Sequence, residues 1–471
     1  LVGSEMCIRD SFRVKSQVNI SLQKEVMKIA LIMVKGNVYG FKNRSFIFKY
    51  MPDSLTLGTL YGIIKHSFPE IEVEIYDETV ETLKKENIKA DLIGISAITP
   101  CINKAYAYAD YFRQQGIPVF IGGVHATLNP KEVKEHCDAV VKGLADETLP
   151  QLINDFKNGA LKPFYEQNPD MSYSNLVLPE RKIYEDKSFL GSELNMVYAT
   201  FGCTNRCGFC VQPYVCGGYH QRPVDDVISE IKLIEDDYIE FIDPNLAKDE
   251  NYLKELCQKL IPLKKRWFAP LTISVCKNEE LLDLMQQSGC EEILIGFESI
   301  NQDSVKGINK GFNRVDDYKE CIKQLHKRKI KITGSFVLGL DSDTKESLLS
   351  TADFVKEAHI DYVRYTINTP YPGTEYYEKM KSQGRIVEDD WNLYDCQNCV
   401  FEPVNMTAQE LESIFKTLWQ QTYTLKNIFV RLSYIKNPFT FVKDVVTNYI
   451  FGRIYINMVL KEKSFIKKIF F

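Results

Sequence analysis

Three cysteines stand close together in the segment ATFGCTNRCGFCVQP, at Cys203, Cys207 and Cys210, with three and then two residues between them. Thiolates bind soft metals, and cysteines are the usual protein ligands of iron–sulfur clusters. Gly202 and Gly208 let the chain wrap tightly around a bound group. Three thiolates on a four-iron cubane leave one iron without a protein ligand. An open metal position marks a catalytic rather than a structural centre, by the logic that separates open from closed zinc sites. The fourth position would then belong to a substrate or cosubstrate. Structural zinc is one alternative and needs a fourth donor, which Cys216 or His220 could supply. Three unconnected buried thiols are the other.

Such a loop must be carried by strands, and the chain supplies two series of them. From Met27 to about Phe156, short β-branched stretches (KIALIM, EVEIY, DLIGIS, PVFIGG and DAVVKG) alternate with helical stretches such as Leu57 to His66 and Lys104 to Gln115. This pattern predicts a doubly wound parallel sheet, which binds ligands at the carboxyl ends of its strands. Those ends carry GISAIT (Gly94 to Thr99), GGVHAT (Gly122 to Thr127) and KGLADET (Lys142 to Thr148). Their glycines allow a ligand close to the backbone, and their hydroxyls can bond a polar tail. A polar segment with Pro163, Pro169 and Pro179 reads as a linker. The second series has strands NMVYATFG, YIEFID, LTISV, EEILIGFES, KITGSFVLGL and YVRYTINTP, separated by five helical patterns. Six βα units fall short of an eight-stranded barrel and suit an open, partial one with its chemistry at the strand C-termini. After about Met380 the chain becomes aromatic-rich and helical.

The expected organisation is therefore α/β: 1–26 a leader, 27–160 a Rossmann-like (flavodoxin-like) domain, 161–194 a linker, 195–380 a partial (β/α)6 barrel and 381–471 a helical C-terminal region. The leader LVGSEMCIRDS resembles translated library adapter, which makes Met27 the expected start and leaves Cys7 without a function. No apolar run reaches the roughly 18 residues of a membrane span, and no secretory leader pattern is present. Thirteen cysteines, an odd number scattered along the chain, argue against a disulfide framework and for a reducing cytoplasm. A net charge of −5 does not point to nucleic acid.

The Cys-x-x-x-Cys-x-x-Cys loop after the first strand of a partial barrel resembles the radical S-adenosylmethionine (radical SAM) enzymes, over about Asn195 to Met380. The resemblance implies that Cys203, Cys207 and Cys210 hold a four-iron, four-sulfur (4Fe-4S) cluster. It implies that SAM chelates the open iron through its amino and carboxylate groups, and that an electron from the cluster cleaves SAM to a 5′-deoxyadenosyl radical. Phe209 would pack near the adenine. Asp243 and Asn245, in FIDPN at the end of the second strand, would contact the SAM amino group; Asp-Pro-Asn is also good turn chemistry. Glu298, in GFES at the end of the fourth strand, would accept from the ribose hydroxyls, or else serve as a helix-start carboxylate. GSFVLGLDSDT resembles the adenine-side motif around Gly339, and TPYPGT (Thr369 to Thr374) closes the sixth strand.

A Rossmann-like domain ahead of such a barrel resembles the cobalamin-binding radical SAM enzymes, as do GGVHATLNPKEV and YDCQNCVFEP. The resemblance implies cobalamin in the crevice formed by Gly94, Ser96, Thr99, Gly122 and Gly123. The loop KGNVYGFKNRS after the first strand has no histidine of the Asp-x-His-x-x-Gly type, so the lower cobalt ligand is open. His125 reads better as a satisfied structural histidine, and Cys396 and Cys399 of CQNC as buried thiols rather than a redox pair or second cluster.

The implied reaction is methyl transfer to an unactivated carbon of a lipid-like or natural-product small molecule. The adenosyl radical would abstract hydrogen, methylcobalamin would deliver the methyl group, and an external reductant would supply electrons. The alternatives are radical ring formation or rearrangement, and a non-catalytic iron–sulfur electron carrier or sensor. From Lys426 to Phe471, nine basic residues oppose Asp444 and Glu462, a net of +7; the whole chain carries −5, so the remainder carries −12. Aromatic residues alternate with these cations. Segregated charge of this kind predicts peripheral contact of the C-terminal tail with an anionic membrane surface, or a helical cap with solvated lysines.

Overall fold

The computed structural model of the protein describes residues 26–35, 55–184 and 194–460. Residues 1–25, 36–54, 185–193 and 461–471, which include Cys7 and all but the first residue of the segment KGNVYGFKNRS, lie outside the described residues.

The central strands of the first sheet are apolar runs that must be covered on both faces, and its edge strands are more polar. The strands are β1 (Lys28–Met33), β2 (Glu72–Asp77), β3 (Leu92–Ser96), β4 (Val119–Gly122), β5 (Ala139–Lys142) and β6 (Phe164–Glu166), all parallel, in the order β2-β1-β3-β4-β5-β6. This is the flavodoxin-like order with one added edge strand. β6 lies inside the segment read as a linker. It pairs with β5 and buries Tyr165, so the first sheet runs past the expected boundary at 160. One face of the sheet packs through Ile29, Leu31, Leu92 and Phe120 against α1 (Thr56–Ser67), and the other through Ile93 and Ile95 against α2 (Ile102–Gln114). Two short helices, α3 (Val124–Leu128) and α4 (Pro130–His136), follow β4, and α5 (Thr148–Lys157) follows β5.

The second sheet begins with β7 (Met196–Val197). A small antiparallel ribbon, β8 (Thr200–Phe201) with β9 (His220–Gln221), closes a loop that contains α6 (Gln212–Val215) and the three spaced cysteines. Five helix–strand units follow: α7 (Val224–Leu233) with β10 (Tyr238–Phe241), α8 (Glu250–Leu260) with β11 (Arg266–Leu271), and α9 (Glu279–Gln287) with β12 (Cys290–Glu298). Then come α10 (Gln302–Gly307) and α11 (Tyr318–Lys327) with β13 (Lys331–Leu338), and α12 (Lys345–Glu357) with β14 (Tyr362–Ile367). The six strands β7, β10, β11, β12, β13 and β14 are parallel and neighbour one another in chain order, as an open (β/α)6 barrel requires.

One strand is displaced from its expected place. LTISV looks like a buried strand, but Ile273–Lys277 is a 3₁₀ turn and the strand is RWFAPL, which carries Pro270 in its interior. A cysteine expectation also changes: Cys276 and Cys321 are joined by a disulfide although they lie 45 residues apart, because the exit of β11 packs against α11.

After α13 (Glu375–Ser382) the chain forms α14 (Ala408–Thr422), α15 (Leu425–Arg431) and α16 (Pro438–Leu460). These helices share the barrel core: Leu411, Phe415 and Trp419 belong to the same buried cluster as Phe336 and Tyr365. They also finish the exposed edge of β14. The Tyr423 hydroxyl accepts from the Val363 N–H and donates to the Val363 carbonyl, both at 2.8 Å. Unpaired edge groups are satisfied in this way without another strand.

The loops at the carboxyl edges of the two sheets meet. Gly373, after β14, has φ +77°, and a Cβ there would overlap the Leu128 carbonyl at the end of α3. α3 also packs on α6 beside the cysteine loop, and the Trp391 Nε1–H donates to Glu132 at 2.8 Å. Gly373→Ala is expected to destabilise the protein by about 1–3 kcal/mol through overpacking and left-handed strain. Denaturant unfolding of the purified variant checks this, with Gly384→Ala as comparison: Gly384 shares the positive φ but meets nothing within 4 Å.

Candidate functional site

The cysteine loop is pinned at its root. Gly202 has φ +68°, and a Cβ there would overlap the Gly218 carbonyl, so the two stems close only with glycine. Inside the loop the Cys210 N–H donates to the Cys207 carbonyl at 3.0 Å and the Gly208 N–H to the Ile308 carbonyl at 2.9 Å. The second bond docks the loop on the segment after α10. All three thiols are partly exposed. Burial pushes the Cys207 thiol up to about 12; Lys310 opposes the rise, and Cys210, Glu298 and Cys203 add to it. The three sulfurs are thus within electrostatic reach of one another. Among the described residues no three His, Cys, Asp or Glu side chains converge on a single ion. A cubane cluster does not ask for that, since each thiolate takes a different iron. Cys216 does not join them. It packs in an apolar cluster with Met171, Tyr173 and Phe201.

The strand ends place the remaining candidates. Asp243, after β10, is fully buried, and its carboxylate accepts from the Ala199 N–H at 3.2 Å, the Thr200 N–H, and the Thr200 hydroxyl at 2.7 Å. It anchors the root of the cysteine loop through these three bonds. Burial pushes it up from 3.8 to about 6 against the pull of those hydrogen bonds. Between about pH 4 and 6 the unfolded chain therefore loses this proton while the folded chain keeps it. The contribution of Asp243 to stability falls as pH rises through that window and is flat above it. The unfolding free energy of wild type minus that of Asp243→Asn should decline from pH 4 to 6, as denaturant titrations at each pH would read.

Asn245 is buried, and its Oδ1 has no hydrogen-bond partner. Asn368, at the end of β14, matches it: Nδ2 donates to the Tyr376 hydroxyl at 2.6 Å, while the buried Oδ1 is unpartnered. Orphaned buried acceptors at strand C-termini suit a ligand that brings N–H or O–H groups. Glu298 sits at a register shift of β12 with φ +66° and forms a buried ion pair with Lys310 at 2.6 Å; Lys310 also donates to the Gly296 carbonyl at 2.9 Å. Glu298 is thus a paired carboxylate rather than a helix-start one. Nothing in the residue pattern singled out Lys310, Asn368 or Tyr376.

Gly339 has φ +89°, its N–H donates to Asp343 at 3.0 Å, and a Cβ would lie 2.5 Å from Leu411. The side on which a Cβ would stand therefore faces α14. Phe209 packs with Ile308, Val337 and Leu340. A cavity of about 410 Å³ opens beside this apolar group, lined among others by Cys207, Gly208, Ile308, Leu340 and Tyr376. That is the size of a small-molecule site.

On the first sheet, the order reverses between β1 and β3, and Ser96 ends β3 there. Gly122 and Gly123 end β4; Gly123 has φ +99°, and a Cβ would lie 2.8 Å from the Ala97 carbonyl. Two expected ligand contacts turn inward. Gly94 is mid-strand and makes room for the Phe120 ring, and the Thr99 hydroxyl bonds His125 Nδ1 at 3.1 Å. His125 is fully buried, and its Nε2, 3.7 Å from Glu132, has no hydrogen-bond partner. The CQNC thiols have separate partners, Cys396 with the Tyr371 hydroxyl at 3.2 Å and Cys399 with the Phe401 carbonyl at 3.1 Å.

Residues 197–355 match the radical SAM superfamily and residues 64–153 the B12 binding domain. The chain is 32% identical over 379 residues, 77% of its length and 81% of the relative's, to bacteriochlorophyllide d C-12(1)-methyltransferase of Chlorobaculum tepidum. It belongs to the cobalamin-binding radical SAM methyltransferase family. The bacteriochlorophyllide d C-8(2)-methyltransferase of the same organism is 29% identical, over 82% of this chain and 88% of that protein. The fold matches that of the radical SAM methyltransferase TsrM of Kitasatospora setae, solved with cobalamin and a 4Fe-4S cluster bound. That match has a TM-score of 0.65 at 14% identity and covers 90% of this chain and 99% of the other. The enzyme's cofactors are accordingly a 4Fe-4S cluster, SAM and cobalamin. In this cobalamin-binding radical SAM enzyme the donor set suits them: three thiols on one loop, orphaned acceptors at Asn245 and Asn368, and a glycine-built crevice on the first sheet.

Proposed function

We propose that this enzyme methylates an unactivated carbon of a large, apolar small molecule, lipid-like or a natural product of the tetrapyrrole kind that its relatives' names describe. The observation that carries the reading is the meeting of the two carboxyl edges: α3 lies against α6, and Gly373 against Leu128. Cofactors held at the two edges would share one closed space.

In this reading Cys203, Cys207 and Cys210 ligate the cluster, and Phe209 with Ile308 and Leu340 forms the apolar wall for the adenine. The Oδ1 atoms of Asn245 and Asn368 accept from donor groups of SAM, and Glu298, held by Lys310, accepts from the ribose. Ser96, Gly122 and Gly123 line the cobalamin crevice. When bound, the cluster and cobalamin supply the electron for SAM cleavage and the methyl group. The interdomain contact keeps water out while a carbon-centred radical exists. An external reductant is required, and an apolar substrate favours an enzyme that works at a membrane surface.

Metabolite comparison of the host with and without the gene tests the reaction class. The deletion strain should accumulate a compound one methylene lighter than the product, and feeding methyl-deuterated methionine should label that methyl. A missing compound that differs by a ring closure, with no label carried, contradicts methylation.

A further inference from the structure

The helix α16 exposes more apolar surface than a helix facing water normally does. A surface helix normally hides its apolar stripe and shows its polar one. Here the face against the protein mixes Val445, Ile456 and Val459, which join the barrel core, with Asp444, Asn448 and Gly452. Asp444 is buried and paired with Lys331 at 2.7 Å, and Asn448 Oδ1 accepts from the buried Arg431 at 3.1 Å. At Gly452 a Cβ would overlap the Tyr423 ring, so the helix is fixed to the barrel in this orientation. The outward face carries Phe439, Val442, Val446 and Ile450, spaced by three, four and four residues along one side. Phe439 is 85% exposed and Val442 60%. Phe429 on α15, also exposed, meets Phe441 edge-on at 5.5 Å and joins the two helices into one patch.

The exposed charge that α15 and α16 themselves carry is of one sign. Lys426, Lys436 and Lys443 are exposed within the patch, and the lone acid of residues 425–460 is the buried Asp444. The chain continues beyond Leu460 with Lys461, Lys463, Lys467 and Lys468 against Glu462. Apolar side chains interleaved with lysines and free of carboxylates complement the interfacial region of an anionic bilayer. No helix among the described residues is long and apolar enough to cross a membrane, so the contact would be peripheral.

We propose that the solvent face of α15 and α16 docks the enzyme on anionic lipid bilayers. This extends the apolar-substrate reading above by naming where such a substrate would be met, but the docking itself stands on the patch alone. The test uses the full chain, reconstituted without oxygen, in flotation with vesicles of phosphatidylcholine alone or with about one-third phosphatidylglycerol. At low salt the bound fraction should be roughly tenfold higher on the anionic vesicles and should fall as salt rises. The exposed-site variant Phe439→Asp/Val446→Asp should lose about that factor while keeping its melting temperature and reductive SAM cleavage. Equal flotation of wild type and variant on both vesicle types overturns the proposal. So does loss of binding on truncation after Leu460 with none in the double variant. A dimer in ultracentrifugation that the double variant breaks, with no vesicle binding, would reassign the face to a second copy of the chain. None of these outcomes bears on methyl transfer, which the labelling experiment decides separately.

Discussion

Alanine at Cys203, Cys207 or Cys210 is expected to abolish reductive cleavage of SAM and to cut the iron and sulfide retained after anaerobic reconstitution. With one of three thiolates gone, a cubane has too few protein bonds to persist on a partly exposed loop. Cys216→Ala is the informative control. Cys216 is only nine residues beyond Cys207 but packs with Tyr173 and Phe201, so its loss should lower stability and leave the cluster intact. The same holds for Cys396 and Cys399, whose thiols bond elsewhere. Cys7→Ala should change nothing. Iron content and the cluster's visible absorption, read beside 5′-deoxyadenosine formation, separate loss of the cluster from loss of the fold.

The second large effect belongs to Lys310. Its ammonium and the Glu298 carboxylate are more than nine-tenths buried and 2.6 Å apart. Burial works to lower the Lys310 pKa, but Glu298 and the thiols Cys207 and Cys210 outweigh it and hold the group cationic. Lys310→Met leaves the Glu298 carboxylate buried without a partner, which costs about 3–5 kcal/mol. The double variant Lys310→Met/Glu298→Gln removes both charges and should regain most of that stability in denaturant unfolding. If Glu298 serves SAM as proposed, tight SAM binding should not return, because the anionic acceptor and the cation beside the cluster loop are both gone. Recovery of SAM cleavage with stability would show that the pair only holds the loop.

The difference between these residues explains how far the chain could be read without its structure. The three cysteines are close in sequence, so spacing alone marks them. The parallel strands are β-branched runs with period and length to match, and their order along the barrel follows chain order. Lys310 is different: it meets Glu298 across a βα loop and has no signature of its own. Asp243 was visible as a strand-end acid, yet only the fold shows that its oxygens are taken by Ala199 and Thr200. Gly94 and Gly339 looked like approaches for a ligand, and each also admits a neighbouring side chain, Phe120 and Leu411. A glycine signals that something comes close and does not say what. The third barrel strand was misplaced because Pro270 argues against a central strand, whereas the fold keeps it there and turns the β-branched LTISV into a 3₁₀ segment. The exposed apolar face of α16 was invisible for a related reason, since which residues of a helix turn inward is set by what it packs on.

The central claim is that one protein joins a cluster able to cleave SAM to a bound cobalamin. The most direct measurement incubates the anaerobically reconstituted, cobalamin-loaded enzyme with SAM and a strong reductant and follows both the nucleoside products and the corrinoid spectrum. Reductant-dependent 5′-deoxyadenosine, lost in Cys203→Ala, is expected from protein that retains a corrinoid through gel filtration. Iron-replete protein that retains no corrinoid and forms no nucleoside product would contradict it.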